Sequence, residues 1–175
     1  MVIDTSSLVS YVLTHGELMR RVVAGWRAGS FSLLSSPATR AELAAVLARP
    51  EIQRLAVSPL DELVRGLERF SQPVPGRLVL AGACRDAKDD KFLACAVEGQ
   101  AHYLVSSDRD LLDMRGYQDV AILNPGQFLL ALELYPLDSE AMARRFGRQV
   151  LADIQATLPL EPDTAQRLAA ALDLA

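Results

Sequence analysis

The sequence predicts an α/β domain with a central, mainly parallel sheet flanked by helices, followed by a helical C-terminal extension. Three observations carry this reading. Over residues 1–132, short apolar runs of strand character alternate with amphipathic helical stretches. Cap-type residues follow the strand ends directly, as a strand passing into a helix requires. Beyond Pro136 the strand runs stop, and residues 133–175 show only helical patterning.

Val2 and Ile3 form a short buried strand, and Asp4, Thr5, Ser6 and Ser7 break it ahead of a helix. Phe31, Ser32, Leu33 and Leu34 are read as a second strand. "SSPATRAELAAVLARP" then opens a helix with Ser36 as N-cap, Pro37 in the first position and Pro50 as the stop. "SPLDELVRGLERF" repeats the device, with Ser58 and Asp61 at capping-box spacing and an apolar series from Leu60 to Phe70. Leu78, Val79 and Leu80 read as a strand. The helix of "DAKDDKFLACA" follows and ends near Gly99. "HYLVSS" and "VAIL" supply two more buried strands. In the tail, Met142, Phe146, Val150 and Ile154 recur every fourth position, with Leu168 and Leu172 after Pro162. Such a face suits core or dimer contacts, hence a homodimer, and less often the docking of an inhibitor protein.

Composition narrows the class. At 175 residues and 50% hydrophobic content, the chain supports one domain with an appendage. No apolar run approaches the ~18 residues of a membrane span, and no secretory signal is visible. Only Cys84 and Cys95 are present, so a disulfide framework is not expected and a cytoplasmic location is. His15 and His102 lack the pattern of a structural zinc site. A net charge of −4 argues against nucleic-acid binding by bulk charge alone.

The acids are more informative. Ligands of parallel α/β sheets bind outside the carboxyl ends of the strands. Asp4 and Asp108 sit there by sequence. Glu42 lies in a helix with no basic residue three or four positions away, so the usual local ion pair is absent. In "DAKDDKFLACA", Asp89 shares the helical stripe of Phe92, Leu93 and Ala96. Lys88, Lys91 and Glu98 are assigned to the wet face, Asp90 to the border, and Asp86 to a turn or cap. Carboxylates gathered in one pocket raise one another's pKa unless a cation sits among them, and oxygen ligands suit Mg²⁺ or Mn²⁺.

"VIDTSSLVS", "AELAAVLARP", "RDAKDDKFLACA" and "YLVSSDRDLL", in that order and spacing, resemble the PIN domain family. More narrowly, they are similar to its toxin components of bacterial toxin–antitoxin systems, the VapC-like ribonucleases. The resemblance covers residues 1–132 and implies a three-layer PIN-like domain with a parallel sheet of roughly four or five strands. It also implies an endoribonuclease dependent on Mg²⁺ or Mn²⁺, with Asp4, Glu42, Asp89 and Asp108 as the catalytic acids. Asp4, Asp89 and Asp108 would hold the metal, with Ser6, Ser106, Asp86, Asp90 and Asp110 in support. Ser6 stands where the family often has Asn, and Ala87 where it has Pro; neither change removes a ligand. An antitoxin protein is the partner the branch implies.

The expected chemistry is hydrolysis of an RNA phosphodiester by water that the metal activates and aligns. Arg40, Arg85, Lys91 and Arg109 flank the acids and are candidates for backbone contacts to RNA, as is Lys88. An aspartate-nucleophile phosphatase would need a second Asp at position 6, which is Ser. A non-catalytic PIN-like scaffold that binds RNA or protein is the remaining alternative.

Overall fold

The structure is a computed structural model describing residues 1–57 and 59–134. In chain order it runs β1 (Val2–Ile3), α1 (Thr5–Thr14), α2 (Glu17–Arg27), β2 (Leu34–Ser35), α3 (Pro37–Leu47), α4 (Pro50–Leu55) and α5 (Leu60–Phe70). There follow β3 (Gln72–Pro73), α6 (Asp90–Glu98), β4 (Tyr103–Val105), α7 (Arg109–Leu112), β5 (Gly116–Tyr117), β6 (Val120–Leu123) and α8 (Pro125–Leu134). Met1–Leu129 forms one compact unit. The expected amphipathic tail from Pro136 and the Ser58 cap lie outside the described residues. Among those residues, no helix is long and apolar enough to cross a membrane.

The main sheet has the order β1-β4-β6-β5. Val2 pairs with Leu104 and Ile3 with Val105 in parallel, and Leu104 pairs onward with Ile122. Side chains alternate between faces along a strand, so this register sets which residues share a side. The row Val2, Leu104 and Ile122 faces one core, which Phe92, Leu93, Cys95 and Ala96 of α6 complete. The opposite face takes Tyr103, whose ring meets Phe128 of α8 edge-on at 5.6 Å. With apolar side chains on both faces, the strands are the near-continuous hydrophobic runs of a covered parallel sheet. This is an α/β fold with a mainly parallel sheet.

Several element expectations need correction. The second strand is shorter and later than residues 31–34, sharing only Leu34 with them: it is β2, which pairs in parallel with β3. The Gln72 N–H donates to the Leu33 carbonyl at 2.7 Å and the Val74 N–H to that of Ser35 at 2.8 Å. Pro73 falls between these two donors, where a missing N–H costs no ladder bond. Residues 78–80 are not a strand. Val79 is 83% exposed, and the Arg77 and Leu78 amides are instead held by the Glu98 carboxylate. Pro50 does not stop the preceding helix, which ends at Leu47; it opens α4 in the first turn. The Ser36 cap forms as expected, its hydroxyl accepting from the Thr39 N–H, which closes a capping box. The antiparallel β5–β6 hairpin was not anticipated, because its turn carries Gln118 at φ 50° rather than glycine.

Candidate active site

Because Ile3 lies opposite Val105 in parallel register, β1 and β4 release their next residues at the same edge. The Asp4 N–H continues the ladder to the Val105 carbonyl at 3.0 Å. Its carboxylate caps α1, with Oδ1 accepting from the Ser7 N–H at 2.8 Å. Oδ2 accepts from the Ser6 hydroxyl at 2.7 Å and from the Ser106 hydroxyl at 2.5 Å. The Ser106 oxygen in turn accepts the Asp108 N–H at 2.9 Å, so one buried serine links the two strand-end acids. Asp108 caps α7 through the Asp110 N–H at 2.7 Å. A second tie, Ser7 Oγ to Ser107 Oγ at 3.0 Å, joins the same two segments. Sequence reasoning missed Ser7 and Ser107. Ser7 carried a signal, since it stands three residues after an Asp at a strand-to-helix junction.

Asp4 is only 2% exposed. Burial pushes its carboxyl up from the ordinary value, and the bonds from Ser106, Ser6 and Ser7 pull the other way. All three are neutral donors. They fix the carboxylate in place without cancelling its charge, and with Oδ2 doubly engaged it is poorly placed to act as a nucleophile.

The start of α6 brings in the next acids. Asp89 is the N-cap residue, half-buried, and its carboxyl is pushed up to about 6. Burial is the largest cause, followed by the negative charges of Asp108, Asp86, Asp4 and Glu42. These acids, from four separate segments, share one electrostatic field. Asp86 closes the preceding turn, its Oδ1 accepting the Lys88 N–H at 2.9 Å.

Asp90 is not a border residue. It is 4% exposed, and its carboxylate accepts the Gly82 N–H at 2.6 Å and the Cys84 N–H at 2.7 Å. The helical wheel could not show this, because the loop that buries Asp90 comes from residues 80–84. Asp90 thus organises the loop. It is Asp89, one position earlier, whose charge is felt among the other acids.

Glu42 projects from α3 and meets Lys91, whose Nζ donates to Glu42 Oε2. Lys91 is therefore not on the wet face; its side chain is 28% exposed and that of Glu42 25%. Glu98 is likewise engaged with the loop amides. Among the other candidates for RNA contact, Arg40 donates to the Ser35 carbonyl and hydroxyl at 3.3 and 3.0 Å. Arg85 is ion-paired with Asp110. Arg109 and Lys88 are exposed.

The direction of the Asp89 shift has a consequence for stability. A carboxyl whose folded-state pKa lies above its unfolded value favours folding most below the unfolded value. That contribution is lost as pH rises through about 6. Asp89→Asn is therefore expected to melt with the wild type at acid pH and above it at pH 8 when both are metal-free. Melting temperature measured against pH checks this, and a difference independent of pH would contradict it.

A hard divalent cation was the expected occupant, and the donor set fits it in chemistry: Asp4, Glu42, Asp89 and Asp108 offer only oxygen. The charge is in keeping with a cation: after burial, the negative charges of Asp108, Asp86, Asp4 and Glu42 add to the upward shift of Asp89, and of these, among the described residues, Glu42 alone is ion-paired with a lysine. Among the described residues, no three His, Cys, Asp or Glu side chains stand close enough together to hold an ion as a group. Drawing them into a coordination shell requires side-chain movement, for which half-buried Glu42 and Asp89 have room and buried Asp4 has little.

Comparison with curated proteins finds no match. Comparison with protein families finds that the PIN domain matches residues 1–110, which include Asp4, Glu42, Asp89 and Asp108. PIN domains are generally nucleases and typically use divalent metal ions. With the family matched over more than half its length and a mainly parallel α/β sheet behind the acids, the chain belongs to the PIN domain family.

Proposed function

We propose that the chain is a Mg²⁺- or Mn²⁺-dependent endoribonuclease and the toxin component of a bacterial toxin–antitoxin system. The observation that supports this most is the shared field of Asp4, Glu42, Asp86, Asp89 and Asp108 at the carboxyl edge of β1 and β4. Asp4, Asp89 and Asp108 would hold the metal, and Glu42 would join them directly or through water. When bound, the ion would supply Lewis acidity toward water and offset charge building up at phosphorus. Ser6, Ser7 and Ser106 keep the Asp4 carboxylate oriented, and Ser106 fixes the Asp108 backbone to it. Lys88 and Arg109, which are exposed, would contact the RNA backbone. Residues 1–132 form the nuclease in this reading. The extension at 133–175 serves self-association or an antitoxin protein.

Incubation of the full chain with single-stranded RNA tests the reading. Cleavage is expected with Mn²⁺ or Mg²⁺ and is lost in EDTA. RNA bound but left intact across several substrates would instead support the non-catalytic scaffold.

A further inference from the structure

We infer that Lys91 is a built-in counter-ion of the acidic site, holding Glu42 until a divalent cation replaces it. The inference rests on the metal-dependent reading above. Lys91 lies in the first turn of α6, two residues after Asp89, and its ammonium reaches across to Glu42 on α3, a partner 49 positions away. The pair is three-quarters buried on both sides, so water screens it less than a surface ion pair. Lys91 Nζ also lies 5.9 Å from the centroid of the neighbouring Phe92 ring, a second contact that favours the charged ammonium.

The acids of the site are not treated alike. Glu42 has an ammonium ion on it, whereas Asp4 is held by the neutral donors Ser6, Ser7 and Ser106, and Asp108 by a backbone amide. One carboxylate of the group is thus already matched by a positive charge before any cation arrives. A divalent ion entering the field must contend with that ammonium, both for the Glu42 oxygens and through direct repulsion. With Glu42 turned to an ion, the Lys91 ammonium would lose its partner and be left beside the acids. Lys91 is therefore a positioning residue that sets how readily the site fills.

Mn²⁺ binding to the full, metal-stripped chain, followed by isothermal titration calorimetry, tests the assignment. Lys91→Met keeps the apolar stem and removes the charge; it should bind Mn²⁺ roughly 5- to 10-fold more tightly than the wild type. Lys91→Arg should restore wild-type affinity, separating charge from packing. Adding Glu42→Gln to Lys91→Met should abolish the gain. A folded Lys91→Met protein that binds Mn²⁺ no more tightly than wild type overturns the inference and leaves the nuclease reading standing. Absence of Mn²⁺ binding by the wild type and by both Lys91 variants overturns both.

Discussion

Asp4→Asn is expected to lower RNA cleavage by roughly 10²- to 10³-fold, the usual effect of removing one electrostatic group from a catalytic site. The fold should survive the change. Asparagine caps helices about as well as aspartate, so the bond from the Ser7 N–H to position 4 can be kept. The substitution also removes a charge whose burial pushes the carboxyl pKa up, a source of strain in the folded state. What it takes away is the negative oxygen that Ser6 and Ser106 hold in place. Single-turnover cleavage assays on a variant with unchanged circular dichroism check this. In cells, growth arrest on expression should disappear with the same substitution. Arrest that persists would count against the toxin role.

Asp90→Ala should behave in the opposite manner, failing through stability rather than chemistry. It would strip two amides, Gly82 N–H and Cys84 N–H, of their carboxylate acceptor. An unsatisfied buried donor costs about 1–3 kcal/mol, and the Cys84 amide is buried, so a loss of about 3 kcal/mol is expected for the pair. For a unit of this size that corresponds to a melting temperature lower by roughly 10 °C. Asp89→Asn, the neighbouring change, should lose cleavage without losing stability. If Asp90→Ala melts with the wild type while Asp89→Asn collapses, the division of labour between these adjacent acids is wrong.

That pair also marks where the sequence was legible and where it was not. Asp4 and Asp108 could be placed from local pattern alone, because a short apolar run ending in an acid fixes both the strand and its carboxyl end. The Ser36 cap and the strands at Val2 and Tyr103 were readable for the same reason: their determinants lie within a few residues. Asp90 was misread because its burial comes from a loop eight residues upstream, which a helical wheel leaves out. Glu42 was correctly seen to lack a local basic partner, yet its actual partner, Lys91, is distant in sequence and was assigned to solvent. The strand assigned to residues 78–80 failed because three apolar residues resemble a buried strand whether or not a neighbour offers a ladder. In the fold that ladder went to Gln72 and Val74. Sequence placed the local geometry of the acids; it could not place the long-range contacts that sort them.

The central claim is that the acids at the β1 and β4 edge support hydrolysis of RNA by water. Cleavage of a defined RNA by the full chain in ¹⁸O-labelled water with Mn²⁺, read by mass spectrometry, tests it most directly. The expected result is a new phosphate terminus carrying the label, no 2′,3′-cyclic phosphate, and product formed by Asp4→Asn at least about 100-fold more slowly. Unlabelled cyclic-phosphate termini, formed equally by Asp4→Asn or in EDTA, would contradict it.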